Sequence, residues 1–419
     1  MANEIELSPD QYTCYCSIID WIETVHKSTS STQYSNVLTV GGYAGTGKTT
    51  LISKLRCDLG KKLRVAFCAY TGKAASVLRK KLLDQNALGF GDYCGTIHRL
   101  IYRPIVDEAT NEIIRWEKNY NIDYDLIICD EASMVGEEIF NDLKSFNIPI
   151  LAVGDHGQLP PVDSSMNLMA NPDIRLEKIH RTAEGSDIIK LSLMARNDGY
   201  IPFNKFSNDV MKVYPKDPEI TTFIKESGDF SNSVVLCGFN STRVSINSKI
   251  RKFRNLHGIH PHIGERVICL KNNNDAKPSP IYNGVCGTVY YFKTYTKYCY
   301  AEIDIDGSDR YKGKISPNAF NTPKPALNEY ILVSKNENRD IDLDNYVKTG
   351  YFNKNSVRKK YLDVFDYGYC LTVHKSQGSE WDRVMVIEEQ CSYWSGDLWN
   401  RWLYTAVTRS KNKLLIVAA

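Results

Sequence analysis

The stretch VLTVGGYAGTGKTT, residues 37–50, decides how the first part of this chain folds. Its apolar start predicts a buried strand, and the pattern of KTTLISKLRCDLG from Lys48 predicts a helix. Gly42, Gly45 and Gly47 lie between them, where missing side chains let the backbone curl and point its N–H groups at phosphate oxygens. A strand, a glycine-rich turn and a helix in this order indicate a phosphate-binding loop in an α/β fold.

The loop also supplies side chains for a nucleoside triphosphate. Lys48 can reach the β- and γ-phosphates, the Thr49 hydroxyl can ligate Mg²⁺, and the helix adds the positive end of its dipole. The candidate nucleotide-binding residues of this segment are Gly42, Ala44, Gly45, Thr46, Gly47, Lys48, Thr49 and Thr50.

An acidic pair follows the apolar run of LIICDEASM. A strand here delivers Asp130 and Glu131 to its carboxyl end, where functional residues of parallel sheets lie. Asp130 suits the water shell of Mg²⁺, and Glu131 suits a general base that orients an attacking water. An acidic pair that caps a helix is the alternative. The phosphate-binding loop upstream favours the catalytic interpretation.

Two glutamines have a structural and a functional interpretation. In SPDQ, the spacing of Ser8, Pro9 and Gln11 alone favours a capping box over an amide that reads the edge of adenine. In VGDHGQLPPV, Gln158 follows another predicted strand and can touch the γ-phosphate while its loop contacts a different part of the protein. Its alternative is a polar turn residue held by the two prolines.

Two arginines, Arg181 in IHRTAEGS and Arg409 in YTAVTRSK, are candidates for contact with the transferring phosphate. An arginine supplied from the opposite domain stabilises the charge of that phosphate and makes hydrolysis depend on closure of the cleft. The alternative for each is an exposed arginine or a surface salt bridge.

The chain has 419 residues, more than one hydrophobic core accommodates, so we expect several domains. Strand-like and helix-like segments alternate in the first third and again near the end, which predicts two parallel sheets covered by helices. We assign residues 1–175 to a first α/β domain and residues 176–260 with 361–419 to a second. Residues 261–360 are expected to form a β-rich insertion such as an SH3-like barrel. A smaller insertion at about residues 98–120 is interpreted as a hairpin, with a helix–loop–helix as the alternative.

Composition narrows the class of protein. The net charge of +3 neither supports nor excludes nucleic acid as a partner. The 12 cysteines form no C-x-x-C pair, so we expect no zinc site and reduced thiols in a cytosol-like compartment. No apolar run approaches the roughly 18–20 residues that a membrane span needs, and we expect the protein to remain in the cytoplasm.

Eight segments occur in a characteristic order: GYAGTGKTT, AYTGKAA, TIHRL, DEASMV, VGDHGQLPPV, IHRTAEGS, LTVHKSQGSEWDRV and LYTAVTR. Together they resemble superfamily 1 helicases of the RecD-like branch, and the layout is closest to phage helicases of the Dda type. The Pif family shares much of the pattern, but the compact length and the YTAVTR ending favour the RecD-like branch.

The resemblance implies two RecA-like domains with ATP and Mg²⁺ between them, 5′-to-3′ movement, a monomer, and single-stranded and forked DNA as partners, with a single-strand-binding or replisome protein as a further one. It favours adenine contact by Gln11 and the roles given above for Lys48, Thr49, Asp130, Glu131, Gln158, Arg181 and Arg409. It places Gly378 and Glu380 near the nucleotide. The segments that it implies for strand contact contain Thr71, Lys73, Thr96, His98, Thr372, His374 and Ser376.

Several interpretations stay open at this point. His98 and His374 can contact the strand or be structural histidines. The hairpin around residues 107–111 is the candidate wedge, with Tyr102 or Trp116 as stacking residues, although for Trp116 we favour packing beneath the hairpin. For the aromatic residues of YYFKTYTKYCY in the insertion, packing in a core is favoured over contact with nucleic acid. Rival functions are a single-strand translocase that does not unwind, a superfamily 1 RNA helicase, and a nucleotide-switch binding protein.

Overall fold

The computed structural model describes residues 5–27, 35–60, 63–106, 113–161, 166–179, 186–273, 276, 278–334, 357–391 and 394–418. The first elements, numbered in chain order, are α1 (Pro9–Lys27), β1 (Val37–Gly42), α2 (Lys48–Leu59), β2 (Val65–Ala69), α3 (Gly72–Asp84), β3 (Tyr93–Thr96), α4 (Ile97–Ile101), β4 (Tyr102–Val106), β5 (Ile113–Lys118), β6 (Leu126–Asp130), α5 (Glu137–Lys144), β7 (Ile150–Gly154) and β8 (Ile174–Leu176). The remaining elements are α6 (Asp187–Asp198), β9 (Val210–Val213), α7 (Pro218–Glu226), β10 (Ser233–Cys237), α8 (Asn240–Phe253), β11 (Arg266–Cys269), β12 (Cys286–Thr294), β13 (Cys299–Ile305), β14 (Tyr311–Ile315), β15 (Tyr330–Ser334), β16 (Val357–Tyr361), β17 (Phe365–Tyr367), β18 (Cys370–Thr372), α9 (Val373–Ser376), β19 (Trp381–Ile387), α10 (Gly396–Val407) and β20 (Ser410–Val417).

Six strands form the first sheet, in the order β3-β2-β6-β7-β1-β8, and all of its pairs are parallel. We call this sheet with its helices domain 1. Val65 and Phe67 of β2 pack into the core on one face, whereas Ala66 and Cys68 pack into the core on the other. Because side chains alternate across a strand, a strand covered on both faces must be apolar throughout. This explains why β2 reads VAFCA without a polar residue.

A second parallel sheet, which we call domain 2, has the order β18-β10-β19-β20-β9. The strands of this sheet come from two parts of the chain. About a hundred residues with a different type of structure lie between these parts. Trp402 and Leu403 of α10 are buried against this sheet. Two parallel sheets with helices confirm the α/β class expected from the alternating pattern.

The separating residues form an antiparallel sheet, β14-β13-β12-β11-β17, with the pair β15-β16 beside it. We call these strands the insertion. Alternate residues of β13, among them Ala301 and Ile303, face its core. Tyr290, Tyr291 and Tyr295 are instead 52%, 41% and 41% exposed. Phe292 and Tyr298 of the same segment pack against cores of the insertion, so the expectation of core packing holds for these two residues. It is wrong for the three exposed tyrosines, because they occupy the outer face of β12 and the turn after it.

The small insertion in domain 1 is a hairpin, since β4 and β5 pair antiparallel. Residues 107–111, the tip proposed as a wedge, lie outside the described residues. The Tyr102 hydroxyl donates to Asp142 of α5, which anchors the base of the hairpin. Trp116 is 50% exposed, so the expectation that it packs beneath the hairpin is wrong. Within the described ranges, no helix combines the length and apolarity needed to cross a membrane.

Candidate nucleotide and strand sites

The phosphate-binding loop has the backbone that its glycines predict. Gly45 and Gly47 have φ angles of 84° and 78°, in the left-handed region that side chains disfavour. Gly47 is the N-cap of α2, so the free N–H groups of this helix face the loop. The Lys48 ammonium donates to the carbonyl oxygens of Gly42 at 2.7 Å and Tyr43 at 3.0 Å. The lysine is therefore already held within the loop where phosphates would bind.

Gln11 uses both ends of its amide within domain 1. Its Oε1 accepts the Ser8 backbone N–H at 3.0 Å, which is one half of the capping box. Its Nε2 donates to the Thr46 carbonyl at 3.0 Å. A Cβ atom on Gly47 would lie 2.1 Å from that Nε2. The glutamine thus caps α1 and braces the phosphate-binding loop, while its contact with adenine stays a prediction.

The acidic pair stands at the end of β6, as the sequence predicts. Asp130 Oδ1 accepts the backbone N–H of Glu131 at 2.9 Å, and Glu131 has a φ of 53°. Such a conformation is uncommon for a residue with a side chain and is found at functional sites. Burial and the Asp130 charge raise the pKa of Glu131 to about 7, whereas the charges of Arg409 and Lys48 oppose this shift. One carboxyl group therefore lies within electrostatic reach of cations from both domains.

Arg409 is 4% exposed, so the alternative of an exposed arginine is wrong. Its Nε donates to the Thr405 carbonyl at 3.0 Å, and its Nη1 donates to the Ser379 carbonyl at 3.1 Å. These bonds hold the guanidinium beside the segment with Gly378 and Glu380. Gly378 in turn approaches α3 of domain 1, since a Cβ atom there would lie 3.4 Å from that of Ala74. Arg181 lies outside the described residues.

Sequence reasoning missed Asp155, which organises the loop that carries Gln158. The Asp155 carboxylate is buried and accepts the Gly157 N–H at 2.8 Å, the Gln158 Nε2 at 3.2 Å and the Tyr404 hydroxyl at 2.9 Å. Gln158 is 4% exposed, and its Oε1 has no hydrogen-bond partner among the described residues. A buried amide with one unsatisfied atom is suited to a further polar group in this cleft.

The helix α10 of domain 2 makes most of the bridge to domain 1. Tyr404 accepts the Ala44 backbone N–H at 3.0 Å, and Arg401 Nη1 donates to the carbonyls of His156 at 2.7 Å and Gln158 at 3.1 Å. The Leu159 N–H donates to Thr405 Oγ1 at 3.1 Å. The sequence contained a signal for this bridge, because positions 401, 404 and 405 place polar groups on one face of a largely buried helix.

The site suits a magnesium ion that arrives with its nucleotide. Thr49 lies in the first turn of α2 and Asp130 at the end of β6. No group of three or more His, Cys, Asp or Glu side chains able to hold a metal ion occurs among the described residues. A Mg²⁺ ion takes few protein ligands and completes its shell with phosphate oxygens and water, so one hydroxyl and one carboxylate fit it.

In domain 1, the candidate strand residues lie at the carboxyl edge of the sheet. Thr71 and Thr96 cap α3 and α4 through hydrogen bonds from the Ala74 and Arg99 N–H groups, at 3.2 Å and 3.3 Å. His98 is exposed, 6.1 Å from the Tyr70 ring and 5.9 Å from the Tyr102 ring. The Lys73 ammonium stands 5.2 Å from the Trp381 ring of domain 2.

In domain 2, the matching residues also follow a strand. Thr372 ends β18, where the register pairs it with Cys237 of β10. His374 is half-buried, and burial lowers its pKa. The Ser376 hydroxyl is buried and donates to the Val373 carbonyl at 2.7 Å. It therefore stabilises the short helix α9 in which both residues lie. The structure thus brings most of the predicted residues to two places, the cleft between the domains and the carboxyl edges of their sheets.

Comparisons with known families agree with this layout. A family model described as AAA domain matches residues 23–206, and one described as UvrD-like helicase C-terminal domain matches residues 367–417. Together they cover more than half of the chain.

Relatives extend the match along most of the chain. The chain is 25% identical to the ATP-dependent RecD2 DNA helicase of Deinococcus radiodurans over 403 residues, which cover 90% of this chain and 46% of that protein. It is 23% identical to the RecBCD enzyme subunit RecD of Buchnera aphidicola, over 92% of this chain and 70% of the subunit. The chain thus spans about half the length of one relative and most of the other.

Solved structures share the fold. A Pif1 helicase from Bacteroides, in complex with ADP-AlF3 and ssDNA, has a TM-score of 0.56 at 17% identity, covering 98% of this chain and 92% of that one. Pif1 helicase from Candida albicans has a TM-score of 0.50 at 18% identity, covering 98% and 94%. The two parallel domains therefore have the RecA-like helicase fold. The two family models and the RecD relatives together support a superfamily 1 helicase of the RecD-like type.

Proposed function

We propose that the protein uses ATP hydrolysis to move along single-stranded DNA from 5′ to 3′ and to separate the duplex ahead of it. The observation that carries the proposal is the bridge from Tyr404 of domain 2 to Asp155 and the Ala44 N–H of domain 1. It links the phosphate-binding loop to a helix of the other domain, so occupancy of that loop can change how the two domains meet. The direction rests on the family resemblance.

In this proposal, each residue of the cleft has a separate role in binding or hydrolysing ATP. The loop N–H groups and Lys48 bind the phosphates, Gln11 contacts adenine, and Gly378 and Glu380 close the site from domain 2. Thr49 and Asp130 would hold Mg²⁺, which neutralises phosphate charge when bound. Glu131 orients the attacking water and accepts its proton. Gln158 senses the γ-phosphate.

Arg409 and Arg181 would stabilise the charge that develops on the transferring phosphate. The support for Arg409 is its burial and its electrostatic reach to Glu131 across the cleft. Since the guanidinium is held by carbonyl groups of domain 2, it can approach the phosphate only when domain 2 approaches domain 1. Hydrolysis would therefore depend on closure of the cleft.

Closure is also the source of movement. Thr71, Lys73, Thr96 and His98 would hold the strand on domain 1, and Thr372, His374 and the segment to Ser376 would hold it on domain 2. Hydroxyl groups and backbone N–H groups bind phosphates without reading sequence, and histidine can stack on a base. Each cycle of closure and release would shift one domain along the strand. Opening one base-pair step costs roughly 0.6–2.2 kcal/mol, which one ATP can supply.

The β4-β5 hairpin would be the wedge that meets the duplex. The attachment of the hairpin to α5 supports this role, because an element that separates two strands must stay in place when it meets the duplex. Asp142 accepts the Tyr102 hydroxyl and pairs with Lys118 from the other strand of the hairpin. Both strands are therefore tied to domain 1 through one carboxylate.

Strand separation on matched 5′-tailed and 3′-tailed duplexes, with ATP and Mg²⁺, tests the proposal. We expect unwinding of the 5′-tailed substrate and ATPase activity that single-stranded DNA stimulates more than RNA of the same sequence. Unwinding of the 3′-tailed substrate alone would refute the direction. Strand-stimulated ATPase without any unwinding would identify a translocase, and stimulation by RNA alone would identify an RNA helicase.

A further inference from the structure

One residue of the insertion rests on the candidate strand site of domain 1. Gly72 is the first residue of α3, between Thr71 and Lys73. A Cβ atom at Gly72 would lie 2.1 Å from Cγ and 2.2 Å from Cδ1 of the Tyr282 ring. Atoms cannot approach so closely, and only a glycine here leaves room for the ring. The tyrosine therefore packs directly on the backbone at the start of α3.

Tyr282 lies between β11 and β12 of the insertion, and hydrogen bonds hold this connection in place. The Val285 N–H donates to the Tyr282 carbonyl at 3.1 Å, and Gly284, with a φ of 87°, completes a tight turn. The Asn283 N–H donates to Asn272 Oδ1 at 2.7 Å, while the neighbouring Ile281 is buried in the core of the insertion. The position of the ring is thus set by the insertion and not by a free loop.

The insertion itself is tied to domain 2 by buried ion pairs. Arg251 of α8 donates to both oxygens of Glu265, at 2.9 Å and 3.0 Å, and the Tyr369 hydroxyl donates to the same carboxylate at 2.9 Å. Arg243 of α8 pairs with Asp366 of β17, and both are almost fully buried. Breaking such pairs by a relative motion would leave buried charges without partners, which is strongly unfavourable. The insertion therefore moves with domain 2.

The same insertion borders the strand segment of domain 2. Leu371 and Val373, which flank Thr372, share one hydrophobic core with Ile268 of β11 and Cys286 of β12. Its other end reaches Gly72 through Tyr282. A strand held by the segments of both domains would consequently pass along the insertion, and Tyr282 would stand at the domain 1 end of that path.

We infer that Tyr282 belongs to the strand-binding site, as the contribution of the insertion to it. Its ring is half-buried, so part of its surface stays accessible beside Thr71 and Lys73. A tyrosine offers an aromatic face to a base or sugar and a hydroxyl to a phosphate, which suits single-stranded nucleic acid of any sequence. The inference rests on the proposed function and extends it from the two parallel domains to the insertion.

The test compares Tyr282→Ala, Tyr282→Phe and the wild-type protein in ATPase assays with an oligothymidine and in fluorescence anisotropy without ATP. For Tyr282→Ala, we expect the oligonucleotide concentration for half-maximal stimulation to rise roughly tenfold, as for loss of one stacked base. The turnover number at saturating oligonucleotide should not change, and Tyr282→Phe, which keeps the ring and loses only the hydroxyl, should lose much less affinity than Tyr282→Ala. The matched control is Tyr214→Ala, at an exposed tyrosine directly after the edge strand β9, and this substitution should change nothing.

Salt dependence separates this role from a structural one. Tyr282→Ala removes no charge, so the slope of log affinity against log salt should stay as in the wild type, whereas Lys73→Ala should make it shallower. Unchanged or tighter binding by Tyr282→Ala would overturn the inference; tighter binding would mean that the ring blocks the path. Absence of stimulation in the wild type would instead refute the proposed function.

A double variant checks the placement. Gly72→Ala should weaken oligonucleotide binding because it displaces the Tyr282 ring. In a Tyr282→Ala background, the same substitution should add little further loss, since no ring remains to be displaced. Fully additive losses would overturn the placement of the ring in the strand site.

Discussion

The hydroxyl of Tyr404, on α10 of domain 2, donates a hydrogen bond of 2.9 Å to the buried carboxylate of Asp155 in domain 1. The same oxygen accepts the Ala44 N–H of the phosphate-binding loop at 3.0 Å. A single hydroxyl therefore connects the loop, the Gln158 segment and the other domain. Because it is buried, loss of this group leaves polar partners without hydrogen bonds, and such losses are costly.

Tyr404→Phe removes that hydroxyl and keeps the ring. We expect strand-stimulated ATPase turnover to fall about tenfold, the equivalent of one unsatisfied buried hydrogen bond. Binding of ATP to the loop of domain 1 should change much less. Steady-state ATPase assays and fluorescent nucleotide binding measure the two quantities. Tyr200→Phe, at an exposed tyrosine of domain 2, is the control, and an unchanged turnover for Tyr404→Phe would contradict the coupling.

Lys48→Ala removes the cation that the phosphate-binding loop holds. Since no other side chain replaces the contact with the β- and γ-phosphates, we expect ATP turnover to be abolished. Oligonucleotide binding should remain close to that of the wild type, as measured by fluorescence anisotropy. Robust turnover by this variant would refute the nucleotide site.

Arg409→Ala tests the arginine that domain 2 directs toward the cleft. We expect the rate of hydrolysis to fall by about 10³ or more, because the charge of the transferring phosphate loses its partner. The affinity for ATP should fall far less. Removal of a buried guanidinium can also weaken the fold, so thermal unfolding is measured in parallel. Arg383→Ala, a partly exposed arginine paired with Glu226, is the control, and equal losses of affinity and rate would argue against the role.

Asp142→Asn loosens the anchor of the hairpin. Hydrogen bonds from Lys118 and Tyr102 hold the pKa of Asp142 below its usual value against the effect of partial burial, which shows that the charged form is favoured. We expect unwinding to slow several-fold while strand-stimulated ATPase activity stays unchanged. Asp84→Asn, at the exposed end of α3, is the control. If unwinding persists at the wild-type rate, the wedge lies elsewhere.

Chelation of divalent cations should abolish ATP turnover, since Thr49 and Asp130 offer only part of a Mg²⁺ shell and the nucleotide supplies more of it. Oligonucleotide binding without nucleotide should persist and should weaken steeply with salt. Addition of Mg²⁺ in excess should restore turnover. Hydrolysis that continues after chelation would contradict the assignment of these two residues.

The sequence by itself determined the α/β class, the phosphate-binding loop, the acidic pair and the hairpin. Each of these features depends on residues that are close together in the sequence. Glycines permit a left-handed backbone, short apolar runs indicate buried strands, and two extended runs next to each other can pair as a hairpin. The order of the motifs along the chain also indicated the resemblance to superfamily 1 helicases.

Only the tertiary structure decided which residues meet across domains. Asp155 and Tyr404 are 249 positions apart, and Tyr282 of the insertion meets Gly72 at the start of α3 in domain 1. The tertiary structure also decided that Arg409 is buried, which the sequence alone left open. It likewise decided that Tyr290 and Tyr291 of β12 face outward. The reason is physical: spacing determines the conformation of a segment, whereas burial and partners depend on which segments fold against it.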